Sequence, residues 1–435
     1  MRHIPIVLLA LICTACSQGE SAKLGSRLDP VAEQYVRLAL ALGEHDNDYV
    51  DAYFGPPEWR EAAHAQAMSL DAIGLAADKA IATLETIDAA NAGRLLQLRH
   101  NYLLTHLRSL AAVSRVRNGL SLSFDEESRQ IYGFVAPSFM QEHYERTLAR
   151  LDELLPGEGP THERYRMFRE RLRIPDEKVR EVVRIGLDEC RRVTKQHMTL
   201  PEGESFELEF VVDEPWGAYN WYKGDGQGLI QVNVGRPKHL GTSIRLGCHE
   251  GYPGHHALSS LLDKNFLQDR GWIEFSVLPL FSPQGIIFEG SGDLAAQVAF
   301  PEAARDRFLR ETIVPIAGLE AVDFAALQAI REVMHDMRYA GVDAARHYLD
   351  GEWSKAQTAQ WLTEYGLVAP DDMEAWFGFT HRYRAYRINY VLGEDLVLSF
   401  VRKENPDGDP EGDWLALEKL LSLPPAPLLF EEATN

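Results

Sequence analysis

The sequence predicts a mainly α-helical protein with one small antiparallel β-sheet, and three observations carry that reading. Apolar residues recur at three- and four-residue spacing through most of the chain, a stretch around 205–234 switches to alternation, and a His-Glu motif interrupted by Pro-Gly follows directly. Helical periodicity runs from Pro30 to Leu42, Leu70 to Ile87, Arg94 to Val116, Phe139 to Leu155 and Asp176 to Lys195, punctuated by Pro156-Gly157 and Pro175. In the alternating stretch, Phe206-Glu207-Leu208-Glu209-Phe210 reads as one strand. Ala218 to Tyr222 and Leu229 to Val234 flank the turn-rich segment Lys223 to Gly228, which makes them a hairpin. From Ser243 onward the pattern is helical again, broken near Pro283, Pro301 and Pro370. The chain therefore divides in sequence into a helical part, 24–200, and a strand-plus-helix part, 201–435, expected to pack as two lobes of one integrated domain.

Composition removes several function classes. With 435 residues the chain can bury a sizeable core, and 44 Lys and Arg against 65 Asp and Glu leave a net charge of −21. Nucleic-acid recognition rests on basic patches, so no nucleic-acid partner is expected. Four cysteines are too few for a disulfide framework in a chain of this length. Cys190 and Cys248 stay open between a pair and two independent buried thiols. As a metal ligand Cys248 is disfavoured, because adjacent residues on a helix point different ways.

Residues 1–15 read as a secretory leader: Arg2 is followed by the apolar run Ile4 to Ile12, then Cys13-Thr14-Ala15-Cys16 and polar residues. Small residues before Cys16 resemble a bacterial lipobox, which predicts an exported protein of the cell envelope, anchored by lipid at Cys16. The alternative is ordinary cleavage after Ala15. Later runs fall short of the ~18 apolar residues that a spanning helix requires, so contact with the membrane is expected through the lipid alone.

The segment that carries chemistry is Leu246-Gly247-Cys248-His249-Glu250-Gly251-Tyr252-Pro253-Gly254-His255-His256. Two imidazoles with an adjacent carboxylate point to a zinc (Zn2+) hydrolase, the imidazoles holding the metal and Glu250 acting on water as general base. The spacing is unusual. His249 and His255 are six residues apart, which on a regular helix means roughly 120° of rotation and about 9 Å of rise, too far for one ion. Pro253 cannot donate to the carbonyl of His249, and Gly254 accepts dihedrals that strain other residues, so a kink there could swing His255 back. His256 is the rival second ligand and would need a larger distortion. Glu289, 34 residues after His255 on the next apolar helix, supplies a third ligand, and Asp293 one turn later could orient a ligating histidine.

The string HExxPGHH resembles bacterial domain-of-unknown-function family 885. So do the Phe288-Glu289-Gly290 helix, Asp343 and His347 in a DxxxH pattern, Trp353-Ser354-Lys355, Arg382-Tyr383 and Tyr390 to Gly393. The resemblance covers roughly residues 200 to 400 and implies a helical gluzincin-like zinc metallopeptidase with ligands His249, His255 and Glu289 and with Glu250 as base. The family's EGWAxY helix here reads Glu289-Gly290-Ser291-Gly292-Asp293-Leu294, without its Trp and Tyr. That departure bears on the substrate pocket more than on the metal.

Hydrolysis at a carbonyl develops an oxyanion, for which His347, Tyr383 and Tyr390 are candidate donors. Arg382, Arg384 and Arg387 are candidates to bind a peptide's terminal carboxylate. The strand Leu229 to Val234 is either an edge onto which a peptide can add or a strand covered by a loop. The expectation is an exported peptidase acting on short peptides or small amides. The alternatives are hydrolysis of a cell-wall peptide or N-acyl amino acid, and a non-catalytic zinc-containing binding lipoprotein.

Overall fold

The computed structural model describes the backbone of residues 7–214, 216–319 and 322–431, with side chains from 23 to 430 within those ranges. The leader and Cys16 lie outside the residues whose side chains are described. The architecture is mainly helical. The periodic segments form helices at Val7–Gly43, Leu70–Glu85, Arg94–Arg117, Gln141–Leu154 and Asp176–His197. Ser69 caps the second by accepting from the amide of Ala72, and Pro175 ends the preceding turn where the fifth begins. A short helix at Phe124–Tyr132, too short for periodicity to show, is started by a reciprocal capping box between Ser123 and Glu126.

Two sheets are present among the described residues. β1 (Val50–Tyr53) pairs antiparallel with β5 (Val277–Pro279). Both are too short to carry an alternation signal. The second sheet consists of β2 (Ser205–Val211), β3 (Ala218–Gly224) and β4 (Gln227–Asn233), in the order β2-β4-β3. β3 and β4 are the expected antiparallel hairpin, with Trp221 opposite Leu229. β2 corrects the expectation of a purely antiparallel sheet: it passes β3 and pairs parallel with β4, Phe206 opposite Gly228. Alternation reports which face of a strand is buried but not the sense of its neighbour, so the sequence could not distinguish the two. The same order places β4 at the centre, so Leu229 to Val234 is not an edge. The edges are β2 and β3.

The chain forms two compact units, one of residues 1–120, 262–284 and 421–435, the other of 121–261 and 285–420. The sequence-drawn boundary near residue 200 therefore runs inside the second unit, where the Asp176–His197 helix packs with the segment that follows the sheet. In the first unit, Arg99 is buried and held bidentately by Glu274 at 2.6 and 3.1 Å, with Asp29 at 2.8 Å, so the buried cation is fully countered. Among the described residues no helix is long and apolar enough to cross a membrane.

Candidate metal centre

The second unit builds the site around residues 242–255. A short helix at Thr242–Leu246 widens into a π-helical turn at Gly247–Gly251, and helical geometry stops at Tyr252, which is extended. Cys248 is joined to Cys190 of the neighbouring helix by a disulfide, Cα atoms 5.4 Å apart. Of the two readings the sequence left open, the structure shows the pair: the cysteines are 58 positions apart, and only helix packing brings them together. On the other side Asn220 of β3 donates to the Glu250 carbonyl at 2.7 Å. The turn is thus fastened from two directions.

After the cis Tyr252–Pro253 peptide the chain doubles back, and the Gly254 amide donates to the Cys248 carbonyl at 2.9 Å. A β-carbon at Gly254 would stand 2.0 Å from the His249 oxygen, so only glycine allows this approach. The helix resumes at His255. The two rings then lie with centroids 4.5 Å apart, against about 9 Å of axial rise along a continuous helix.

Glu289 arrives on the Gln284–Ala299 helix, which crosses the Ile388–Glu404 helix at Gly290 and Gly393 with no room for a β-carbon on Gly290. His249 Nε2, His255 Nε2 and a Glu289 carboxylate oxygen converge, the group lying within 4.8 Å of one another, and His249, His255 and Glu289 could hold a metal ion. Glu289 Oε2 is 3.3 Å from His249 Nε2 and 3.8 Å from His255 Nε2. Bonds of ~2.0–2.1 Å to a tetrahedral ion place ligand atoms roughly 3.3 Å apart, the first of these separations, and two imidazoles with one carboxylate are donors of a kind that zinc accepts. Glu289 Oε2 is buried and makes no hydrogen bond, although its other oxygen accepts from Tyr386 at 2.6 Å.

The outer contacts orient this set. His249 Nδ1 meets Asp293 at 3.0 Å, leaving Nε2 to face Glu289. Burial alone would lower the pKa of His249, but Asp293 and Glu289 override it and raise it well above the usual range. Burial would likewise raise Glu289 and Asp293, yet their contacts with His249 hold both below the ordinary carboxylate values. These shifts are one interaction seen from its two sides, the imidazole of His249 and the two carboxylates each stabilising the other's charged form. Burial, opposed by His249 and assisted by Glu289, pushes Glu250 up to about 7, a value suited to a group that takes and returns a proton. Burial lowers His255 to about 4, so its ring is neutral and available as a ligand at physiological pH.

A solved structure shares this fold. The crystal structure described as that of "the putative lipoprotein from Colwellia psychrerythraea" matches with a TM-score of 0.50 at 16% identity, over 85% of this chain and 67% of that one. At such identity the likeness speaks for the fold alone. No protein-family model matches the chain, and no curated protein does.

The remaining sequence candidates separate. Tyr390 packs edge-on against Tyr386, whose hydroxyl holds Glu289; burial raises its phenol well above the usual value, and the charges of Glu289, Asp293 and Glu250 raise it further. His347 is not brought in. It pairs with Glu352 at 2.5 Å and stacks on Trp353, while Asp343 of the same pattern accepts from Tyr144 and Arg346. Tyr383 packs on Phe379 and Tyr386, and Arg382 is exposed with its guanidinium over the Tyr383 ring. His256, the rival ligand, points away to Glu204, its Nε2 3.3 Å from Oε2. Sequence reasoning missed Tyr386, which holds Glu289, and Glu204, which accepts from Tyr252, Arg191 and Lys195 below the loop. Tyr386 had a signal available, lying four residues before Tyr390 in a tyrosine-rich run. Glu204 had none, because its partners are assembled only by the fold.

Proposed function

We propose that the protein is an exported, lipid-anchored zinc metallohydrolase, a member of family 885, that cleaves amide bonds in short peptides. The observation that supports this most directly is the buried convergence of two imidazole nitrogens with a carboxylate oxygen that lacks a hydrogen-bond partner, beside a glutamate with a raised pKa. Zinc held by His249, His255 and Glu289 would supply Lewis acidity to water and to the scissile carbonyl. Glu250 then accepts the proton from water and returns it to the departing nitrogen. Asp293 and Tyr386 hold His249 and Glu289 in place, and the Tyr390 hydroxyl, kept protonated by its surroundings, donates to the developing oxyanion. Export is supported by the leader pattern, and the Cys190–Cys248 disulfide suits an oxidising compartment.

The test is Glu250→Gln, which keeps size and hydrogen bonding but removes the proton acceptor. Metal-replete protein is screened against dipeptides, oligopeptides and N-acyl amino acids. The variant should lose about 10²- to 10⁴-fold in kcat while zinc content and Tm stay at the parent's values. A variant as active as the parent rejects the mechanism. Absence of hydrolysis by either protein rejects the enzyme in favour of a zinc-containing binding protein.

A further inference from the structure

Arg382, Arg384 and Arg387 surround the turn that carries Tyr386, and their surroundings differ. Arg384 pairs with Glu127 at 2.6 Å, and Arg382 is exposed with its guanidinium over the Tyr383 ring. Arg387 has no carboxylate partner among the described residues. Its Nη2 donates to the Thr380 hydroxyl at 3.0 Å, its Nε is buried without a partner, and its guanidinium lies 4.7 Å from the Trp376 ring centre and 4.9 Å from that of Phe379. Aromatic faces attract a cation but do not neutralise it. A cation withdrawn from water calls for an anion, and a chain with 65 acidic residues against 44 basic ones places none of its described carboxylates on this one.

Its position relates Arg387 to the metal centre. Arg387 directly follows Tyr386, whose hydroxyl binds the ligand Glu289, and precedes Tyr390 by one turn. The Tyr386 and Tyr390 rings are 5.9 Å apart, so the segment that presents Arg387 also presents the phenols of the metal centre. We propose that Arg387 receives the free α-carboxylate of a peptide's C-terminal residue, which makes the protein an exopeptidase of carboxypeptidase or dipeptidase type. This rests on the hydrolase reading and narrows its substrate class. A planar guanidinium fork matches a planar carboxylate, and the aromatic walls around it suit an apolar C-terminal side chain. Burial, opposed only by the Tyr390 phenol, lowers the pKa of Arg387 to about 10, in keeping with a cation that lacks a protein counter-charge.

Binding is measured by calorimetry in the zinc-loaded Glu250→Gln protein, so that probes are not consumed. The probes are Ala-Phe, Ala-Phe-amide and Ala-Glu-amide, the last with only a side-chain carboxylate. Ala-Phe should bind about 10- to 100-fold more tightly than either amide, as expected for a charge-assisted pair. Arg387→Gln should bring the ratio close to one, and Arg387→Lys should restore part of it, with zinc content and circular dichroism unchanged. Equal binding of acid and amide, no binding of Ala-Phe at millimolar concentration, Ala-Glu-amide binding as well as Ala-Phe, or selectivity that survives Arg387→Gln overturns the assignment. The acid-to-amide comparison requires no arginine variant, so a misfolded Arg387→Gln leaves the test intact. With Glu250 restored, acid selectivity without turnover rejects hydrolysis and keeps the carboxylate site, whereas equal turnover of acid and amide does the reverse.

Discussion

Replacing Gly254 by alanine should empty the metal site with little change elsewhere, and the size of the effect follows from the loop's geometry. A β-carbon at this position would stand 2.0 Å from the His249 carbonyl oxygen and 2.3 Å from that of Cys248, where real contacts essentially never fall below 3.0 Å. Relief therefore demands at least ~1 Å of movement between two stretches of backbone. The 248–250 side is fixed by the disulfide and by the Asn220 hydrogen bond to the Glu250 carbonyl, so the displacement falls on Pro253 to His255. Metal–ligand distances tolerate about ±0.2 Å, so an imidazole carried off by five times that no longer reaches the ion held by His249 and Glu289. Loss of an outer orienting contact alone costs roughly 10- to 100-fold in affinity, and displacement of a ligand should cost more than the upper figure. The assay is zinc affinity by competition with a chromophoric chelator, with circular dichroism and melting of the metal-free proteins measured in parallel. A folded Gly254→Ala protein that holds zinc as tightly as the parent would refute the argument that this close approach sets the separation of the two histidines.

Other expectations concern the ligands, the Glu204 contacts and the leader. The parent should carry roughly one equivalent of zinc, and His249→Ala and Glu289→Ala should each lose most of it, measured by metal analysis after dialysis. His255→Ala should lose more zinc than His256→Ala, and the opposite order would show that the rival histidine is the ligand. Burial would raise the Glu204 carboxyl, but His256, Tyr252, Arg191 and Lys195 bring it down from 4.5 to about 2. A folded pKa below the unfolded one stabilises above the unfolded value, so about 3 kcal/mol should be present at neutral pH and vanish as pH falls from 4.5 to 2. Denaturant unfolding of the parent and Glu204→Gln across that window checks this, and a constant stability difference between them contradicts it. Cys16→Ala should abolish lipid attachment in a bacterium using the protein's own leader, read by mass and membrane fractionation, whereas a soluble, unacylated parent rejects the anchor.

Much of this was legible in the residues because it depends on local pattern. Period-3.6 apolar spacing marked the long helices, since a helix must bury one stripe whatever it packs against. The Gly224-Asp225-Gly226 turn marked the hairpin, since so short a connection permits only antiparallel strands. The six-residue gap between His249 and His255, impossible on a regular helix, demanded a break, and Pro253-Gly254 stood where it was needed. Asp293 was legible as the partner of His249 because one helical turn separates it from Glu289 on the same helix.

What the tertiary structure decided has long sequence separation in common. The parallel entry of β2 beside β4, the joining of Cys190 to Cys248, the grip of Tyr386 on Glu289 and the clasp of Glu204 beneath the loop each link residues between about 20 and 100 positions apart. No local period encodes such partners, because they depend on how buried faces are matched after the helices have formed. The same reason separated the candidates that chemistry alone left equal. His347 carries the same imidazole as His255, and Arg382 the same guanidinium as Arg387. Yet one histidine is spent on Glu352 and one arginine lies over the Tyr383 ring at the surface, while packing leaves His255 beside Glu289 and Arg387 half-buried without a counter-charge among the described residues. The residues determined which chemistry was available to this protein, and the packing of its helices determined which copies of each group could take part.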